Sequence, residues 1–126
     1  MHASSLAVLV LSMAWATAVF GAAANAQVKE VRLEGQVVDV VQYVSKGTTS
    51  VESLEATMAG LQRGNPAGFL VTATKKLYVL TMKDQTKKIK DAVLPCAGTK
   101  AFVKGVTYAK GGVNVLIISD IGSTEK

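Results

Sequence analysis

A valine-rich segment with a glycine at its centre constrains this chain most. Val31 and Leu33 alternate with Arg32 and Glu34, which separates an apolar face from a polar one. Gly35 breaks the alternation, and Val37, Val38, Val40 and Val41 follow. Residues 28–44 therefore read as one long strand. A glycine inside a strand marks a bulge or a sharp coil. Such a bend is what a small barrel requires, because closing a sheet on itself forces curvature.

Residues 48–63 read as the one substantial helix. Thr49 and Glu52 have capping-box spacing. Val51, Leu54, Met58 and Leu61 recur every three or four residues and predict one apolar face. Gly64 stands where a C-terminal cap belongs, and Pro66 blocks continuation. Gly60 weakens this helix by roughly 1 kcal/mol relative to alanine, and its small size predicts close approach to a strand. Residues 68–71 and 77–82 read as a hairpin around Thr74-Lys75-Lys76. A basic loop, 83–90, leads to a short helical turn carrying Ile89, Val93 and Leu94 before Pro95. Residues 100–108 read as a strand broken by Gly105. Ala109-Lys110-Gly111-Gly112 turns the chain into a last strand, 113–118, with Val113, Val115 and Ile117 on one face and cover on both sides. Residues 122–126 read as a frayed polar tail. The expectation is a mainly β fold: one five-stranded barrel with one inserted α-helix.

The N-terminal segment bears on compartment. Residues 6–20 are apolar or small and run into Ala24-Asn25-Ala26, the small-x-small pattern that a signal peptidase reads. Residues 1–26 thus read as a signal peptide and 27–126 as the domain, exported to the periplasm or secreted. The basic residue that normally precedes such a run is missing, and a retained membrane anchor is the competing reading. The apolar run is short for a bilayer span, so no stable membrane span is expected after cleavage.

The domain left behind has a restricted chemistry. His2 and Trp15, the only residues of their kinds, both fall in the leader, and Cys96 is the only cysteine. No internal disulfide can form, and stability must come from packing. Cys96, beside Leu94 and Pro95, reads as a small buried apolar residue, with a reactive thiol as the alternative. A Ser-His-Asp or Cys-His pair is impossible, as are a zinc site and a facial iron triad within one subunit. Glu52 and Glu55 could pair for sugar cleavage, yet their spacing fits a solvated helix face. Asp84, Asp91 and Asp120 are too scattered for a calcium loop. The expectation is a non-enzymatic protein without a cofactor or metal.

All 14 Lys and Arg and all nine Asp and Glu follow residue 27, so the net charge of +5 belongs to the domain. That balance favours anionic partners. Lys83, Lys87, Lys88 and Lys90 form the densest basic stretch, and Lys75, Lys76 and Lys110 could complete an electropositive rim.

Further local patterns carry a family resemblance. Val37-Val38-Asp39 after Gly35, Leu77-Tyr78-Val79-Leu80, and Val103-Lys104-Gly105-Val106 before Lys110-Gly111-Gly112 resemble small exported bacterial proteins with an OB fold, a five-stranded Greek-key barrel. Usually the helix of that barrel follows the third strand; here the clear helix follows the first, which implies an OB-like variant with an inserted helix. Some members carry Cys and His ligands before a Gly-x-Pro turn. Gly64-Asn65-Pro66 and Gly68 match the turn, but Gln42, Ser53, Ala56 and Gly60 occupy the ligand positions, which argues against a metal or redox role.

OB barrels bind ligands on the face of strands two and three, with aromatic side chains as platforms. The candidate ligand-binding residues are therefore Lys75, Lys76, Tyr78, Lys87, Lys88, Lys90 and Tyr108, with Tyr78 and Tyr108 exposed and Phe69 and Phe102 in the core. The expected ligand is an anionic small molecule or a cell-envelope protein. Nucleic acid is disfavoured, because only Arg32 and Arg63 supply guanidinium groups and export removes the usual targets. The alternatives are a structural subunit of a larger envelope complex and a metal- or redox-binding relative that has lost its ligands. Oligomeric state is left open by the sequence.

Overall fold

The computed structural model describes residues 29–124. The signal-peptide and anchor readings, His2 and Trp15 lie outside them. Five strands, β1 (Val31–Asp39), β2 (Ala67–Val71), β3 (Leu77–Met82), β4 (Ala101–Lys110) and β5 (Val113–Ser123), form a closed barrel in the order β1-β2-β3-β5-β4. β3 and β5 run parallel, and every other pairing is antiparallel. The architecture is the expected mainly β, OB-like barrel. Its helical content is larger than one insertion. Helices α1 (Val40–Lys46) and α2 (Leu54–Gln62) lie between β1 and β2, and a short α3 (Ile89–Val93) with a 3-10 turn (Leu94–Cys96) lies between β3 and β4.

Closure depends on β1 changing partners at Gly35. Its first half pairs with β4 and its second with β2, and Gly35 faces both Ala101 and Val71. A side chain there would sit 2.0 Å from the Leu70 carbonyl oxygen, so only glycine permits the approach. At the expected break near Gly105 the strand continues. The irregularity falls on β5, where Ser119 is skipped as the register passes from Lys104–Asp120 to Gly105–Ile118. β5 also runs on to Ser123, and the Thr124 amide donates to the Lys100 carbonyl at 2.9 Å. The expected frayed tail is therefore ordered as far as residue 124.

Phe69, Leu80, Val103, Leu116 and Ile118 fill the barrel, with Val37, Val71 and Ala101. Cys96 and Val93 join that core from below, and Ile89 and Leu94 pack against it. α3 and the 3-10 turn thus close one end of the barrel. On the last strand the deeply buried side chains are Leu116 and Ile118. Val113 is exposed, and Val115 and Ile117 are only half-buried on the outer face. The cover expected on both sides of this strand is therefore incomplete.

Two helical expectations need correction. The first strand stops at Asp39 and does not reach residue 44. The Asp39 side chain accepts hydrogen bonds from the amides of Val41 and Gln42, which caps α1, and Gly47 ends that helix in the left-handed region at φ 73°. Good caps outweigh the weak helix propensity of Val40, Val41 and Val44. The second helix starts at Leu54, because Thr49 and Glu52 spend their hydrogen bonds on a local turn. Thr49 Oγ1 donates to Glu52 Oε1 at 3.1 Å and accepts from the Glu52 amide at 3.3 Å. The buried face of α2 is Thr57, Gly60 and Leu61, whereas Val51 and Leu54 of the expected stripe are exposed.

That buried face exists to meet Asp39. A side chain on Gly60 would lie 1.7 Å from Asp39 Oδ2, which bears out the expected close approach. The same carboxylate oxygen accepts from Asn65 Nδ2 at 2.9 Å. In an open helix Gly60→Ala would stabilise by up to about 1 kcal/mol. Here it should destabilise by about 1–3 kcal/mol through overpacking, measured as a lower urea midpoint at unchanged slope. The Thr57 hydroxyl is buried and has no hydrogen-bond partner among the described residues. Thr57→Val keeps the shape and removes that unmet group, so it should stabilise the fold by about 1 kcal/mol, read as a higher urea midpoint at unchanged slope.

Candidate ligand hollow at the β3–α3 loop

The loop after β3 is shaped by its own polar residues. Lys83 extends the β3–β5 ladder, its amide donating to the Ile118 carbonyl at 2.9 Å. Asp84 then starts a tight turn: Oδ1 accepts from the Thr86 amide at 3.0 Å and from Thr86 Oγ1 at 2.6 Å. The Lys87 amide donates to the Asp84 carbonyl at 3.1 Å. Lys88 is extended, at φ −90° and ψ 133°, and precedes α3. The Thr86 hydroxyl and amide stabilise the charged form of Asp84 and hold its pKa below the usual aspartate value.

Between this loop and β5 lies an open hollow of about 560 Å³. Thr86, Lys87, Lys88, Asp91 and Ala92 line one side and Ser119, Asp120 and Ile121 the other, with Met82 between them. The bulge at Ser119 shapes the β5 side; bulges commonly re-aim side chains at functional sites. The Ser119 hydroxyl donates to the Glu30 carboxylate, with the Lys104 carbonyl a second acceptor at 3.3 Å.

The sequence-predicted residues fall into two groups. Lys87 and Lys88 line the hollow. Lys90 lies half-buried in α3 and is not part of the lining. Lys75 and Lys76 lie in the β2–β3 turn at the opposite end of β3, about 20 Å away at strand rise. Lys76 Nζ stands 5.8 Å from the centre of the Tyr78 ring. Tyr78 is half-buried and packs against the core, since it shares the inward side of β3 with Leu80. The expectation of an exposed Tyr78 is therefore corrected. Tyr108 is 51% exposed on the outer face of β4, in register with Val115, beside Lys110 and Val113. The single electropositive rim thus becomes two separate basic patches, one at each end of β3.

The acidic residues on the hollow, Asp91 and Asp120, and the bulged Ser119 were not recognised as site residues from the sequence. Asp91 and Asp120 are 29 positions apart in the chain, and only the β5 register brings Asp120 beside the loop. Of the two carboxylates considered for sugar cleavage, Glu52 is engaged by Thr49 and Glu55 is exposed in the first turn of α2. Cys96 is buried, as expected, and burial pushes its thiol above the ordinary cysteine range, which disfavours the reactive thiolate. Among the described residues no three His, Cys, Asp or Glu side chains are grouped to hold a metal ion, and no helix is long and apolar enough to cross a membrane.

The lowered pKa of Asp84 sets the sign of a pH effect. Its contribution to loop order is present above the unfolded aspartate value and is lost as pH falls through the lower folded value. The Thr86 amide resonance should therefore titrate with a midpoint below that of a free aspartate, and Thr86→Val should move the midpoint of Asp84 upward. No protein-family model, curated protein or solved structure matches this chain.

Proposed function

We propose that this chain is an exported, non-enzymatic OB-type binding or accessory module. It takes the anionic group of a small ligand, or of a cell-envelope partner, in the hollow between the β3–α3 loop and β5. The observation that carries this reading is that Lys87 and Lys88 both line one concave site. Concavity matters, because an exposed lysine on a flat surface gains at most about 1 kcal/mol from an anion, whereas converging contacts with less water between them gain more. Thr86 and Ser119 add hydroxyls, and Met82, Ala92 and Ile121 add apolar contact. The assignment to export rests on the leader-like residues 1–26.

A second reading, a subunit of a larger assembly, draws on the exposed valines of the α1–α2 region. Val44 is 69% exposed and Val51 62%. Light scattering on the purified protein bears on this reading, which requires self-association or a partner and is weakened by a clean monomer.

Inorganic phosphate is a suitable first probe for the hollow, titrated at physiological ionic strength, where a Debye length of about 8 Å separates the two ends of β3, and followed by amide chemical shifts. Changes should centre on residues 86–88 and 119–121. The double variant Lys87→Glu, Lys88→Glu should weaken binding by about tenfold or more with unchanged circular dichroism. Lys75→Glu with Lys76→Glu, at the far end of β3, should leave affinity within about twofold. Equal affinity in the Lys87/Lys88 variant would falsify the site.

A further inference from the structure

The hollow carries both signs of charge. Two lysines, Lys87 and Lys88, share its lining with two aspartates, Asp91 and Asp120, so its formal charge is zero. A simple anion is attracted by one pair and repelled by the other, and the two effects oppose each other at similar range. The charges are not already satisfied by one another. Among the described residues, neither lysine is within ion-pair distance of either aspartate, and Lys104, which stands opposite Asp120 across β4 and β5, forms no ion pair with it. By contrast Asp84, the third carboxylate of this region, is turned onto Thr86 and is already occupied.

The placement is built in by two independent elements. Lys87, Lys88 and Asp91 come from the loop and the first turn of α3, which Val93 anchors in the core. Asp120 comes from β5, directly after the bulge at Ser119. Opposite charges that face a shared space without pairing complement a ligand that is itself dipolar.

We propose that this hollow binds a small zwitterion, a phosphate ester bearing an ammonium group. Lys87 and Lys88 take the phosphate, Asp91 and Asp120 take the ammonium, and Met82 and Ile121 contact the short carbon linker. The volume, about 560 Å³, lies in the range of small-molecule sites. The inference rests on the anion-binding reading above and adds the second charge. The same chemistry exists as a free solute and as a lipid headgroup, and the test separates the two.

The purified protein is titrated with O-phosphoethanolamine, with inorganic phosphate, and with vesicles containing either phosphatidylethanolamine or phosphatidylglycerol. O-phosphoethanolamine should bind about tenfold more tightly than phosphate, the worth of one charge-assisted contact. Asp91→Asn with Asp120→Asn should erase that preference while phosphate affinity holds or rises; both changes are isosteric and lie on exposed positions. Binding to phosphatidylethanolamine vesicles alone would support the zwitterion and assign it to lipid, whereas binding of the soluble ester alone assigns it to a free solute. Equal affinity for phosphate and O-phosphoethanolamine overturns the zwitterion and leaves the anion site standing. Stronger binding to phosphatidylglycerol vesicles than to phosphatidylethanolamine overturns the lipid headgroup as the source and leaves the soluble ester to decide the zwitterion. No binding by any probe overturns both readings together.

Discussion

The insertion between β1 and β2 depends on one fully buried carboxylate. Asp39 is 0% exposed, and it receives the Val41 amide at 2.9 Å, the Gln42 amide at 3.4 Å and Asn65 Nδ2 at 2.9 Å. A buried carboxylate without donors would be strongly unfavourable. With three donors it becomes a junction: it ends a strand, starts α1, and fixes the turn after α2. The arrangement closes only because Gly60 presents no side chain to Oδ2. Gln36, three residues earlier in β1, does the same work, accepting from Ser50 Oγ at 3.2 Å and the Val51 amide at 3.1 Å. Some 27 residues between two strands of a small barrel are thus tied down by polar contacts to the strand they leave, together with Leu61, which the segment lends to the barrel core.

This division of labour explains the exposed valines. Inside the barrel, apolar side chains from all five strands meet and need no polar help. Outside it, Val38 and Leu70 are buried on the outer side of β1 and β2, and Val40 sits over Gly68. Among the described residues nothing further covers the outward sides of α1 and α2, where Val41, Val44 and Leu54 are exposed. Their order therefore rests on caps, on Asp39 and on the burial of Leu61, since an isolated seven-residue helix is unstable in water.

The barrel was legible in the sequence because its signals are local. Alternation in residues 31–34, the glycine at 35, the apolar run 77–80 and the double-glycine hairpin each encode their own geometry. The helix boundaries were not. Val40-Val41-Gln42-Tyr43-Val44 continues a strand by propensity, and the decision against it is made by the Asp39 side chain together with the Pro66 carbonyl, which accepts from the Val40 amide at 3.0 Å. Thr49 and Glu52 make the bonds of a capping box, yet they close an isolated turn and the helix begins later. Tyr78 failed for a different reason. Its side of β3 follows from the parity of Leu80, and which parity faces inward is fixed only when β3 pairs with β2 and β5.

The same logic separates composition from site chemistry. A net charge of +5 describes the long-range field, which attracts anions to the whole surface. At contact distance the relevant quantity is the local arrangement, and the lysines of the basic loop share their hollow with Asp91 and Asp120. The field can raise the encounter rate with anionic molecules in general, while the hollow discriminates among them by what else they carry. Salt screens the first effect over about 8 Å at physiological ionic strength and acts less on the second. A basic protein can therefore be selective for a ligand without net negative charge, provided that the carboxylates facing its lysines are held apart from them, as the α3 anchor and the β5 bulge hold them here.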